Sequence, residues 1–251
     1  MIEEPFAQGT SFIHNMEPRI KILAAFALSL AASLCSHFSI IRVYLLISVI
    51  LVTAARLNFG ALAKRLKPLF LFLSMIWFIL PLTFEGRVLY HYGRIRITEP
   101  GILLSAMITF KSITIVLVFT ALVATMTVAS LGNGLHRLHL PDKLVFLLLM
   151  CYRYIAVIEE EYNRLLRAAK FRGFIPRTDL HSYKTFACLA GMLFVRASLR
   201  AQRVHKAMLC RGFNGKFHTL DVFLPNRFNS IFLRAIVCMS LGLFIYEQIW
   251  F

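Results

Sequence analysis

The sequence predicts an all-α integral membrane protein, with about five transmembrane helices and two long amphipathic helices on the cytoplasmic side. Three observations carry this. Apolar residues make up 59% of the 251 residues and charged residues 16%, against about 45–50% and about 25% in soluble domains. The 23 phenylalanines exceed what the interior of a soluble fold this size would hold, whereas a bilayer solvates whole apolar helix surfaces. The net charge of +16 lies between and beside long apolar runs, as it does in the cytoplasmic loops of membrane proteins. That placement argues against nucleic-acid binding, which calls for a basic patch with stacking aromatics on a soluble module.

The spans follow in order. The first covers about 20–35 and is rich in Ala and Leu; a Ser-His-Phe-Ser turn leads to the second, about 38–55. The third covers about 69–84, with Pro81 near its end. Residues 85–100 are polar, and the alternation Arg94-Ile95-Arg96-Ile97-Thr98 suggests a short strand or hairpin. The fourth span lies within 101–130, a stretch that as one helix would reach about 45 Å, longer than the ~30 Å hydrocarbon core. Lys111 inside it implies that its first turns lie at the interface or face protein. The last span covers about 231–251.

Orientation follows from Lys/Arg bias. Arg56, Lys64, Arg65 and Lys67 follow span two, and 131–227 holds 16 of the 28 basic residues but 6 of the 12 acidic ones, a net of +10. Both segments fall on one side if the spans alternate, so the N-terminus is expected in the cytoplasm and the C-terminus outside. The organisation expected is an N-terminal membrane domain (1–130), a cytoplasmic region (131–227) and a C-terminal transmembrane helix (228–251). The first eighteen residues are largely polar, with Glu3, Glu4 and Glu17, and do not read as a secretory signal. Cys35, Cys151, Cys188, Cys210 and Cys238 show no C-x-x-C spacing and read as small apolar fillers.

Region 131–227 is the informative one. No Gly or Pro interrupts 142–172, and Cys151, Ile155, Ile158, Tyr162, Leu165 and Ala169 recur at three-to-four spacing, an apolar stripe whose next step is Arg172. Glu159, Glu160, Glu161, Arg164 and Arg167 read as a solvated charged face. A second helix is expected over about 184–211. Its stripe of Phe186, Ala190, Leu193, Ala197, Ala201, Val204 and Met208 also steps onto an arginine, Arg211. The alanines would let another helix approach closely.

Both helices end alike: Ala168-Ala169-Lys170-Phe171-Arg172-Gly173-Phe174 and Ala207-Met208-Leu209-Cys210-Arg211-Gly212-Phe213 share A-x-x-x-R-G-F. Ala and Arg at i and i+4 share a face, and the guanidinium offers five donors. Gly supplies the left-handed turn that ends the helix, and the Phe can pack back over the last turn. One copy reads as an ordinary C-cap with a cation suited to the helix dipole. Two copies suggest a pair of equivalent docking knobs for two similar receptors.

Little in the sequence speaks for chemistry of its own. Gly212-Phe213-Asn214-Gly215-Lys216-Phe217 lacks both the spacing and the hydroxyl of a phosphate loop. His136 and His139 form the only histidine pair at helical spacing, without metal-site companions, and read as interfacial histidines at an elbow. Spans one to four carry no carboxylate, and Glu247 is expected at the membrane interface near the outer end of the last span. Arg153, between Tyr152 and Tyr154, is expected to have a structural role.

These features together resemble the T components of energy-coupling-factor transporters, in particular the cobalt/nickel-type CbiQ branch, over nearly the whole chain. The segment Phe12-Ile13-His14-Asn15-Met16-Glu17-Pro18-Arg19-Ile20-Lys21 is similar to the family's lead-in to span one, with Glu17 where Asp is usual. Arg137-Leu138-His139-Leu140-Pro141 and Cys151-Tyr152-Arg153-Tyr154 are similar to its approach to the first coupling helix. The twin Arg-Gly motifs are the most specific part. The resemblance implies that they end two crossed coupling helices docked on two ABC-type (CbiO-like) ATPases, making Ala168, Arg172, Gly173, Ala207, Arg211 and Gly212 the transmission contacts. It further implies a separate CbiM-like or NikM-like substrate-binding membrane subunit, cargo of Co²⁺ or Ni²⁺, ATP and Mg²⁺ on the partner ATPases, and a place in a bacterial or archaeal inner membrane. This chain would hold no cofactor or metal of its own and would not be an enzyme. A T component serving a vitamin such as biotin, and a membrane scaffold without energy coupling, are the alternatives.

Overall fold

A computed structural model describes residues 9, 11, 13, 14, 16–57, 59–84, 88–92, 95–213 and 227–250. Glu3, Glu4, Phe12 and Asn15 near the start, Arg94 in the polar segment, and Asn214, Gly215, Lys216 and Phe217 lie outside the described residues. The chain divides into two compact units: the described residues up to Gly134 together with the last helix, and those from Leu135 to Phe213.

The first unit contains α1 (Pro18–Leu34), α2 (Phe38–Ala54), α3 (Phe59–Thr83), a hairpin of β1 (Val88–Tyr92) and β2 (Ile95–Thr98), α4 (Glu99–Leu122), most of α5 (Val128–Arg137) and, at the end of the chain, α8 (Arg227–Trp250). Helix α4 is its hub: α1, α2 and α3 pack on it, and α8 packs on α1. Ala24, Ala25 and Leu28 of α1 meet Ile41 and Tyr44 of α2 and Val118, Ala121 and Leu122 of α4 in the core. The small residues of α1 permit close helix approach where dispersion rather than water exclusion drives packing.

The outer surface carries many large apolar side chains. Leu71 and Phe78 of α3 are 76% and 74% exposed, a surface suited to lipid rather than water. Gly60–Thr83, Glu99–Leu122 and Asn229–Glu247 are long and apolar enough to cross a membrane. Helices α1 and α2, 17 residues each, reach about 25 Å, the short end of the range for a span.

Several boundaries differ from the sequence expectation. Helix α3 starts ten residues before position 69 and runs through Pro68. A proline costs the helix one donor, but in a membrane helix neighbouring groups satisfy the freed carbonyl. The 101–130 stretch is not one helix: α4 ends at Leu122 and α5 begins at Val128, which removes the length mismatch. The strand alternation corresponds to a real antiparallel hairpin, pairing Tyr90 with Ile97 and Tyr92 with Ile95. The Thr98 hydroxyl closes this corner by donating to the Phe84 carbonyl at 2.9 Å. Gly101 is needed beside it, since a Cβ there would lie 2.8 Å from Pro81 Cα.

Polar side chains pin the helix ends within this unit. Lys111 Nζ donates to the Ser33 carbonyl at 2.7 Å, so the charge inside span four faces protein. Tyr44 Oη donates to the Ser240 carbonyl at 3.1 Å. Glu247 does not sit open at an interface: it is buried, and its Oε1 accepts the amides of Ser36 at 2.5 Å and His37 at 3.2 Å. A carboxylate there takes up the amides just ahead of α2, where the helix dipole also favours an anion.

Candidate functional site

The second unit is built on α6 (Asp142–Phe171) and α7 (Leu180–Cys210). Before α6 the chain turns at His139, whose φ is +63°, and His136 Nε2 stands 3.0 Å from Asp142 Oδ1. Helix α6 is uninterrupted for 30 residues and α7 for 31. Helix α7 begins four residues ahead of the expected start, after Asp179, where Ser182 Oγ accepts the Arg177 amide at 3.0 Å.

The two helix ends are geometric copies. Arg172 (φ −88°, ψ 14°) and Arg211 (φ −94°, ψ 13°) are the last helical-side residues, followed by Gly173 at φ +81° and Gly212 at φ +77°. Gly173 and Phe174 amides donate to the carbonyls of Lys170 (3.0 Å) and Ala169 (3.1 Å); Gly212 and Phe213 amides donate to those of Leu209 (3.0 Å) and Met208 (3.1 Å). Each is a Schellman motif, the paired 6→1 and 5→2 bonds satisfying carbonyls that would otherwise be orphaned. The capping half of the sequence reading is therefore correct in detail.

The capping geometry also projects the arginines. Ala168, Arg172, Gly173, Ala207, Arg211 and Gly212 are all exposed. Beside the first motif a cavity of about 510 Å³ is walled in part by Ala168, Arg172 and His181, so the small residue leaves room next to the guanidinium.

The phenylalanines that close each motif reach the neighbouring helix. Phe174 packs edge-to-face on Phe186 near the start of α7, with centroids 5.5 Å apart. Phe213 packs on Phe146 near the start of α6 at 5.3 Å. Midway, Glu161 of α6 pairs with Arg196 of α7. These three contacts run in order along α6 and in reverse order along α7. The helices are an antiparallel pair, and the two Arg-Gly motifs stand at its opposite ends.

The pair is loosely filled. On α6 only Val145, Glu161 and Leu165 are buried, and on α7 only Ser182. Residues of both apolar stripes line an open groove of about 540 Å³, walled by Ile155, Ile158, Leu193, Ala197 and Val204 among others.

Glu161 is the residue that the sequence hid. It was expected on a solvated face with Glu159, Glu160, Arg164 and Arg167, but it is buried. Arg196 donates to its Oε1, while Arg200 and Arg164 stand 3.5 and 3.8 Å from its Oε2. The hydrogen bond from Arg196 holds the carboxyl below the usual carboxylate range against the opposing effect of desolvation, and the charges of Arg164, Arg196 and Arg200 add to it. The signal available in sequence was Arg196 and Arg200 at i, i+4 on one face of α7. Among the described residues no three His, Cys, Asp or Glu side chains gather as a metal site.

Comparison with known proteins bears on this architecture. The sequence model of the family described as "Cobalt transport protein", CbiQ, matches residues 9–219. The energy-coupling factor transporter transmembrane protein EcfT of Bacillus subtilis is 26% identical over 86% of this chain and 85% of its own length. Its namesake in Macrococcus caseolyticus is 28% identical over 88% and 89%, and that of Listeria innocua 29% over 86% and 85%.

Proposed function

We propose that this chain, which belongs to the CbiQ family of cobalt transport proteins, is the coupling subunit of an energy-coupling-factor importer. It is a multi-pass transmembrane transport component, as its relatives are named. In our reading α6 and α7 receive the closing motion of two ABC-type ATPases at Arg172 and Arg211. They pass it to a separate substrate-binding membrane subunit. ATP and Mg²⁺ belong to the ATPases, and this chain catalyses nothing itself.

The observation that carries the reading is the duplicated end: the same capped Arg-Gly turn, exposed, at opposite ends of one antiparallel pair. A receptor with two similar grooves, one per ATPase, matches such a body. We read the cargo as Co²⁺ or Ni²⁺; the family description, which names cobalt transport, supports a metal. The second reading is a T component serving a vitamin such as biotin, with which the relatives' names, specifying energy coupling and no cargo, are equally compatible.

The test replaces Arg172 and Arg211 by Glu, singly and together, in the chain co-expressed with its ATPases and binding subunit. A well-paired interfacial arginine commonly contributes ~2 kcal/mol or more, about a thirtyfold change in affinity. A helix-terminal cation contributes only ~0.3–1 kcal/mol. ATPase retention in pull-down should fall with each replacement and furthest with both, while membrane insertion stays normal. Full retention by the double variant would leave only the C-cap role. Uptake of labelled Co²⁺, Ni²⁺ and biotin by the unmodified complex decides between the two cargo classes.

A further inference from the structure

We propose that Glu161 is a positioning residue that fixes how α6 and α7 are set against each other, and thereby the spacing of the two Arg-Gly ends. Contacts that tie the pair among the described residues include a Phe–Phe contact at either end and the Glu161 cluster between them. Apolar side chains around the middle leave an open groove rather than an interlocked seam. Such contacts are non-directional and let one helix slide or splay against the other. The carboxylate is directional. Its Oε1 accepts from Arg196, and its Oε2 faces Arg200 one turn further along α7 and Arg164 on its own helix. Two successive turns of α7 are thus registered against one position of α6.

Glu160, the neighbouring acid, shows the contrast. Its pair with Arg164 is confined to α6, with both side chains well exposed, the usual weak i,i+4 arrangement. The Glu161 side chain is 10% exposed and joins two helices. Removing it would take the anion from Arg196 and Arg200 and leave Arg164 only its exposed pair with Glu160, a cationic centre at the point that now binds.

The inference depends on the docking reading only for its consequence in transport, and the first experiment avoids that dependence. In the full-length chain, the exposed Cys151, Cys188, Cys210 and Cys238 are replaced by Ser. Spin labels are then attached through Phe171→Cys and Leu209→Cys, one beside each motif, and the distance distribution is measured in detergent and in lipid. The parent should give one narrow peak. Glu161→Gln should lose that peak to a broad or shifted distribution, and exchanging the charges, Glu161→Arg with Arg196→Glu, should restore a narrow one. A Glu161→Gln distribution superimposing on the parent's would overturn the proposal. So would a broadening that the charge exchange fails to narrow, because packing rather than the ion pair would then set the spacing. In the assembled importer, Glu161→Gln should lower uptake and leave ATPase retention largely intact. Altered spacing with undiminished uptake would count against the docking reading and leave the positioning role standing.

Discussion

Gly173 and Gly212 sit at φ +81° and +77°, and a Cβ built on either would meet no atom within 4 Å. The requirement for glycine there is conformational and not steric. A β-branched residue in the left-handed region costs roughly 1–2 kcal/mol, whereas Asn visits it readily. Gly173→Val and Gly212→Val should therefore lower thermal stability and ATPase retention, and Gly173→Asn and Gly212→Asn should stay close to the parent in both. Equal damage from Val and Asn would point to a partner surface that excludes any side chain. Glu161 supports a pH prediction at the same scale. Its folded-state carboxyl is held below the ordinary range by the Arg196 hydrogen bond, with Arg164 and Arg200 adding charge. The stabilisation is therefore present above the unfolded value of about 4.3 and is lost as pH falls through the lower folded value. The motif spacing should hold from neutral pH down into that range and widen only below it, while the Glu161→Gln chain shows no such transition. A spacing that changes already between pH 8 and 6 would implicate a histidine instead.

At the scale of elements, legibility divided along one line: whatever is encoded within a single helix could be read, and whatever arises between helices could not. Each Arg-Gly turn is a local device, and its residues stand in the order that the Schellman bonds use. Span positions were readable from apolar runs, but Pro68 and the basic 64–67 stretch disguised the first turns of α3, and no punctuating residue announced the break after Leu122. Glu161 looked solvated because its companions at 159 and 160 are; only the approach of α7 distinguishes it. The phenylalanine contacts were hidden for the same reason, since Phe213 meets a residue 67 positions away. Their reciprocity yields a test. Aromatic pairs contribute about 0.5–1.5 kcal/mol beyond area burial, so Phe174→Ala should loosen the end carrying Arg172 and Phe213→Ala the end carrying Arg211. Hydrogen exchange should rise around the affected end and stay unchanged around the other. Exchange rising along both helices in either variant would mean that the pair opens as one unit.

For the whole molecule, we propose one path that is compatible with both the charge bias and the contacts within the membrane unit. In the topology we propose, Lys/Arg bias assigns the start of the chain, the α2–α3 connection and the 131–227 region to the cytoplasmic side. Alternation through α1, α2, α3 and α4 then places the α1–α2 turn and the β hairpin outside. Two contacts close this path without reference to charge. A Cβ at Gly134 would lie 3.0 Å from Pro18 and Ile22 side-chain atoms, which puts the beginning of α1 and the end of α5 together at one end of the unit. Glu247, near the end of α8, accepts the amides of Ser36 and His37, which puts the end of α8 at the α1–α2 turn. An odd number of crossings satisfies both. A reporter fused after Asn214 should therefore read as cytoplasmic, and one fused after Phe251 as external. Glu247→Ala should leave this topology intact while weakening the anchoring of α8, because charge bias and not the cap determines orientation. It should show as lower thermal stability in detergent and earlier proteolysis of the α1–α2 turn. Leaving a fully buried donor without its acceptor costs about 1–3 kcal/mol, and these amides are only part-buried, so the loss should fall at or below the low end of that range. A cytoplasmic signal from the Phe251 fusion would require an even number of crossings. The Glu247 contact would then join segments that belong on opposite faces of the bilayer, and the five-span path would fall with it.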